Sequence, residues 1–161
     1  MEKDVYSLFE KLDIKYELIL HPALFKSTDT EHEMIDFKGA VCCKNLLLKD
    51  KKANKYFLVA LQINKRADLK LIASKLNTSR LSFASDEELF ENLGIKSGSA
   101  SILNIILKPD TKVKFVIDKE LLNFEKVCFH PNVNTASISF SPKKIKEILI
   151  YYNSDYIFLD I

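Results

Sequence analysis

Glycine is scarce in this chain, with three residues in 161, and proline numbers only four. No tract rich in glycine, proline or serine separates one part from another. With no internal repeat or low-complexity segment either, one domain over residues 1–161 is expected. Cysteine is rare too. Cys42, Cys43 and Cys128 are odd in number, no CxxC occurs, and His21, His32 and His130 fall at no zinc-site spacing. That argues against a disulfide framework or a metal centre, and the thiols read as small buried hydrophobes in a reducing compartment. No apolar run reaches the roughly 20 residues that cross a bilayer. The opening MEKDVYSLFEKL carries acidic residues and no long apolar stretch, so no secretory signal is expected and the protein reads as cytoplasmic. A strong excess of one charge is also missing: the net charge is +2 and the pI about 8.3. Domains that hold nucleic acid through charge alone have a pI above about 9, so charge permits an RNA partner without arguing for one.

What is present is an ordinary globular balance, 47% hydrophobic and 29% charged. Val5, Leu8, Phe9 and Leu12 recur at helical spacing over residues 3–12, and 14–20 reads as a strand ending at His21-Pro22. Ser27 or Thr28 is placed to cap a short helix through Glu31, Glu33 and Met34. GAVCCKNLLL (39–48) and YFLVALQI (56–63) are nearly continuous apolar runs joined by the polar tract KDKKANK, which predicts a hairpin buried on both faces. Residues 66–76 read as a helix with Leu69, Ile72, Ala73 and Leu76 on one face. Ser85, followed by Asp86, Glu87 and Glu88, begins a capping box for a helix that Gly94 ends. Strands are expected at about 113–117, 125–130 and 135–140. Ser141-Pro142 should cap a last helix, KKIKEILIYY, and YIFLDI should add an edge strand. The fold class is α/β, of a mixed, α+β-like kind, with helices packed on a sheet.

Three places look chemical. Lys44-Asn45 lies inside AVCCKNLLL. A lysine there either snorkels to solvent or presents a cation from a rigid strand to a phosphate or carbonyl oxygen, because burying an unpaired ammonium is costly. Gly98-Ser99-Ala100-Ser101 marks a tight turn, either an ordinary one or one that offers backbone N–H groups to an anion or an ester oxyanion. Phe129-His130-Pro131-Asn132, followed by Asn134-Thr135, concentrates polar groups at a strand end. His130 there either satisfies the corner or moves a proton near neutral pH. Spacing alone defines no Ser-His-Asp or Cys-His arrangement.

In order and spacing, HPALF (21–25), CKNLLLKDKK (43–52), RLSFASDEELFENLG (80–94), GSAS (98–101) and FHPNVNTAS (129–137) resemble the YbaK/ProX superfamily of aminoacyl-tRNA editing domains. Within it the chain resembles the free-standing PrdX (ProXp-ala) branch of alanyl-tRNA(Pro) deacylases, since the cysteinyl-tRNA(Pro) branch typically lacks the FHPN-x-NTA segment. The resemblance implies a curved mixed sheet flanked by helices, with a small pocket for an aminoacyl ester. It matches the family's lysine to Lys44, its asparagine to Asn45, its glycine-loop residues to Gly98 and Ser99, and its histidine to His130. The implied catalytic set is Lys44, His130, Gly98 and Ser99, with Asn45, Ser101, Ile102 and Asn132 binding substrate and no metal or other cofactor. One departure concerns the loop, which commonly continues in the family as GSVSP, an apolar residue and glycine. Here Ser101 is followed by Ile102, Leu103 and Asn104.

The implied reaction is hydrolysis of mischarged alanyl-tRNA(Pro), which protects translation fidelity. Such an ester is already reactive, so orientation and oxyanion stabilisation matter more than a strong nucleophile. Lys44 would contact the terminal phosphate or ester oxygen, Gly98 and Ser99 would hold the carbonyl region, and His130 and Asn45 would shape the pocket or order water. Ile102 or Leu103 is expected in a wall that admits alanine and excludes proline. The implied partners are aminoacylated tRNA(Pro), touched by lysines such as Lys49, Lys51, Lys52, Lys143 and Lys144, and prolyl-tRNA synthetase. Neither DNA nor a membrane is expected, and the chain is expected to be a monomer. The alternatives are a tRNA misacylated with cysteine or serine, and a non-catalytic module that binds tRNA or a synthetase. Lys44 and His130 favour catalysis over that module.

Overall fold

The structure, a computed structural model, describes residues 2–24 and 34–161. Its elements are α1 (Glu2–Lys11), β1 (Tyr16–Leu20), β2 (Val41–Asp50), β3 (Lys55–Gln62), α2 (Leu69–Leu76), β4 (Leu81–Phe83) and α3 (Asp86–Leu93). A 3-10 helix (Ile102–Ile106), β5 (Lys114–Asp118), a second 3-10 helix (Lys119–Asn123), β6 (Val127–Phe129), β7 (Ala136–Phe140), α4 (Lys144–Tyr151) and β8 (Tyr156–Leu159) follow. The strands form one mixed sheet in the order β1-β7-β6-β2-β3-β5-β8, with β4 attached to β2. The pairs β2–β6, β3–β5 and β5–β8 are parallel.

The expected hairpin is the centre of this sheet. β2 and β3 pair without a break from Cys43↔Gln62 to Asp50↔Lys55. Each face meets a separate apolar layer, which is why neither strand shows polar alternation. Leu47, Leu58 and Ala60 belong to the larger core with Phe9 of α1, Ile148 of α4 and Ile102 of the first 3-10 helix. Leu48, Val59 and Leu61 belong to the smaller core, with Ile72 of α2 and Leu81 of β4. Asp50 fastens the hairpin turn. Its carboxylate accepts the Lys52 and Ala53 amides at 3.0 and 3.2 Å and the Ser79 hydroxyl, and that hydroxyl above all holds the carboxyl below its usual range.

The capping box forms as expected: Ser85 accepts from the Glu88 amide, and the Glu88 carboxylate accepts from the Ser85 amide at 2.9 Å. Gly94 ends α3 in the left-handed region at φ 72°. β8 adds to the sheet beside β5, at its edge. Other expectations need correction. α2 starts at Leu69, because the Asp68 side chain caps it by accepting the Leu71 amide at 3.0 Å. Ser141 gives α4 no side-chain cap; its carbonyl accepts the Lys144 amide at 3.0 Å instead. β4 and both 3-10 helices were not foreseen, being too short for periodicity to register. The helix expected to start at Ser27 or Thr28 lies outside the described residues, except for Met34.

Glu88 also accepts from Lys49 and, at 2.8 Å, from the Tyr56 hydroxyl. Lys49 first, then the Ser85 amide and Tyr56, hold the Glu88 carboxyl down from the ordinary 4.5 to about 2. A depressed carboxyl adds stability above its unfolded-state pKa and loses it as pH falls toward the folded value. Denaturant titrations should therefore show stability falling between pH 4.5 and about 2, and falling less steeply in a Glu88→Gln protein. Equal slopes for the two proteins would contradict the assignment.

Candidate active site

Only one edge of β2 is continuously paired. β3 lines that edge from Cys43 to Asp50. On the other, β6 meets Val41 and Cys42, and β4 meets Leu48, Lys49 and Asp50. Among the described residues this leaves a gap in the sheet between them, beside Lys44 and Asn45. The Val41 amide bonds toward β6 and the Leu47 carbonyl toward Ala84, both on this second edge. Backbone groups alternate along a strand, so Asn45 turns its N–H and C=O groups into the gap, where no described strand pairs with it.

Side chains alternate too. Lys44 shares a face with Leu46 and Leu48 of the smaller core, and Asn45 shares the opposite face with Cys43 and Leu47 of the larger one. The two adjacent residues therefore do not reach a common site from one side. Lys44 is half-buried, forms no ion pair or hydrogen bond with any described residue, and is held below the usual lysine range by desolvation. Asn45 has a buried Oδ1 with no partner among the described residues.

β6 runs parallel to β2 with Cys128 opposite Cys42. β6 ends at Phe129, so His130 follows the strand end while Lys44 follows the Val41–Cys42 stretch that β6 pairs with, and both border the gap. The chain then turns at Pro131. The His130 ring lies 5.8 Å from that of His21, tilted by 43°. His21 is anchored on both sides: its Nδ1–H donates to the Pro22 carbonyl at 2.8 Å, so in the neutral ring Nε2 accepts the Ser137 hydroxyl, also at 2.8 Å. Its backbone amide donates to Thr135, and the Leu24 amide donates to Asn134. Both His-Pro dipeptides thus meet at one corner. Two of the thiols nearby, Cys42 and Cys43, are not poised for attack. The Cys42 thiol is pushed far up by its hydrogen bond with Cys128 and by burial, and burial pushes Cys43 up as well.

The glycine loop closes the other side of the corner. Gly98 sits at φ 88°, and the Ser99 amide already donates to Lys96 at 3.3 Å, which engages one of the expected oxyanion donors in the turn itself. Gly98, Ser99 and Ala100 are partly exposed, whereas Ser101 and Ile102 have no exposed surface and Asn132 has 4%. Ser101 and Ile102 therefore back the loop from inside the core. Leu103 is buried with them. A residue not foreseen joins the parts: Asn104 bonds to Ser99, Ser101 and Asn132. Its sequence signal was a lone amide inside the apolar run Ile102–Ile106.

Open cavities bounded by Lys65, Asp118 and Asp160, and by Lys70, Thr78 and Arg80, touch none of these residues. Among the described residues no three histidine, cysteine or carboxylate side chains gather as a metal site, and no helix is long and apolar enough to cross a membrane.

Residues 21–148, from His21 through the gap and the His130 corner, match the aminoacyl-tRNA editing domain. The chain belongs to that family. An editing domain hydrolyses the ester of an aminoacyl-tRNA, so the protein is an aminoacyl-tRNA deacylase. The prolyl-tRNA editing protein ProX of Acetoanaerobium sticklandii is 32% identical over 146 residues, which covers 90% of this chain and 88% of that one. Prolyl-tRNA synthetase associated domain-containing protein 1 of Mus musculus is 35% identical over 136 residues, covering 82% and 79%. The crystal structure of a candidate trans-editing enzyme for prolyl tRNA synthetase superposes with a TM-score of 0.69 over 98% of this chain and 95% of that one. At 18% identity it shows the fold alone.

With their thiols protonated at neutral pH, Cys42 and Cys43 should be dispensable to the chemistry. A Cys43→Ser protein is expected to hydrolyse ester within about threefold of the parent rate, as suits a surface or packing change. A folded Cys43→Ser protein without turnover would make that thiol a nucleophile.

Proposed function

We propose that residues 1–161 act as a trans-editing hydrolase that removes alanine from mischarged alanyl-tRNA(Pro). The observation that carries this reading is Lys44, a half-buried cation without an anionic partner among the described residues, beside the sheet gap that opens where β6 ends before His130. A desolvated ammonium in such a place is matched by an anion or by an oxygen that gains negative charge. The relatives' names, prolyl-tRNA editing protein and prolyl-tRNA synthetase associated protein, support proline tRNA as the carrier and the synthetase as a partner.

In this reading water adds to the ester carbonyl, and the tetrahedral oxyanion collapses with loss of the ribose hydroxyl, leaving free alanine and uncharged tRNA. Lys44 stabilises the oxyanion or the neighbouring phosphate, His130 orders the water, and the exposed part of the loop, Gly98 to Ala100, borders the acyl group. Asn45 and Asn132 shape the far side. Ile102 acts from behind, since a packed residue keeps the loop from yielding to the larger proline ring. Lys51, Lys52 and Lys143 are exposed and without ion pairs to described residues, so they suit tRNA phosphates. Lys49 is engaged by Glu88, and Lys144 pairs with Glu147.

Replacing Lys44 by alanine should lower kcat about 100-fold or more, as loss of an oxyanion donor does, and leave the melting curve intact. Lys44→Arg should also be impaired, since a guanidinium is broader than an ammonium. Full turnover in folded Lys44→Ala protein would remove Lys44 from the site.

Alanyl-, cysteinyl-, seryl- and prolyl-tRNA(Pro) assayed side by side test the substrate. Alanyl ester should be cleaved fastest and prolyl ester slowest. Ile102→Ala should destabilise the fold by about 2–5 kcal/mol and narrow the alanyl-to-prolyl ratio. A preference of the parent for prolyl ester would end this reading.

A further inference from the structure

We infer that Asn104 is the positioning residue of the editing site, tying the glycine loop to the corner that carries His130 and Asn132. The inference rests on the deacylase reading above and concerns a residue that reading does not use. Asn104 has no exposed surface, yet three of its side-chain bonds are accounted for. Its Oδ1 accepts the Ser101 amide at 2.7 Å. Its Nδ2 donates to the Ser99 carbonyl at 3.2 Å and to Asn132 Oδ1 at 2.8 Å.

The direction of this amide is settled by chemistry. A backbone N–H can only donate and a backbone carbonyl can only accept, so Ser101 and Ser99 together fix which end of Asn104 is oxygen and which is nitrogen. The glycine loop therefore dictates the orientation of Asn104. Asn104 then offers an N–H to the corner, and the atom of Asn132 that faces it must be oxygen. The same logic leaves Asn132 Nδ2 turned away, buried and without a partner among the described residues. Asn132 itself takes φ 64°, a left-handed bend that ends the His130-Pro131 turn.

The geometry makes one rigid unit of two loops that no strand joins. Ser101 tightens it further by capping the 3-10 helix through the Leu103 amide at 3.2 Å. Neither serine, with one short hydroxyl, nor an aliphatic residue can supply an acceptor and two donors at once. Movement of the loop against His130 would alter the placement of the ester under attack, and small misplacements weigh heavily on rate.

The experiment compares the parent with Asn104→Ala, Asn132→Gly and the double variant, each on alanyl- and prolyl-tRNA(Pro). Glycine is used at 132 because it tolerates positive φ. Each single change should lower kcat roughly tenfold to a hundredfold, leave KM within a few-fold, and narrow the alanyl-to-prolyl ratio. The double variant should be no worse than the poorer single one, since both remove the same tie. An amide that only held the fold together would lower the melting temperature and leave kcat and selectivity of the folded protein unchanged. That result, or losses that multiply in the double variant, overturns the inference. If Asn104→Ala does not fold, Asn104→Asp decides, because it keeps the oxygen that accepts from the Ser101 amide and removes both donors. A parent that cleaves none of the esters sinks the deacylase reading as well; an active parent matched by its variants sinks only the inference.

Discussion

The outer edge of β2 is ten residues long and is shared by two strands of three residues each, β6 and β4. Two such short partners cannot cover it, and the uncovered middle is where Lys44 and Asn45 stand. This mismatch explains a sequence oddity, a lysine and an asparagine inside an otherwise apolar strand. A fully paired central strand would seal both residues between two cores, where an unpaired ammonium is prohibitively costly. At a gap the same strand remains rigid, because β3 holds one edge, while the other is met by no described strand. The proposed site is therefore a defect in sheet pairing, and the hairpin supplies its stiffness.

The surroundings follow from that defect. β6 stops early because His130-Pro131 cannot continue the ladder, proline lacking an amide to donate. The chain then turns toward the larger core, where Asn132 meets Asn104. Both sides of the gap are thus held by polar contacts that are themselves buried: His21 to Ser137 on one face, Asn104 to Asn132 on the other. Buried networks of this kind rigidify when satisfied, which suits a catalyst that works mainly by orientation. The protonated thiols of Cys42 and Cys43 agree with that economy of means, since an activated ester needs a placed water more than a protein nucleophile.

Electrostatics sorts the lysines in a way that composition could not. Lys49 appeared to be an exposed cation beside a polar turn, yet the fold brings Glu88 and Tyr56 against it from α3 and β3. Lys44 appeared to be the more buried of the two and is the one left without an anion among the described residues. Proximity in the chain misled in both cases, because strand alternation and distant elements determine which charges meet.

Much of the architecture could be read directly from residue order. The hairpin declared itself by two apolar runs around a polar turn, α3 by Ser85, Glu88 and Gly94, and the family by motifs that cover the chain from His21 onward. These are local signals, carried by neighbours three or four positions apart, by glycine's tolerance of positive φ, or by contiguous strings. Lys44, His130 and the glycine loop stand out as candidates for the same reason. What local pattern could not decide is where chain segments far apart meet: the gap between β6 and β4, the separation of Lys44 from Asn45 by face, the pairing of Lys49 with Glu88, and the tie from Asn104 to Asn132 across 28 positions. Those depend on strand register and on loops packed against one another, and a register exists only once the sheet has formed.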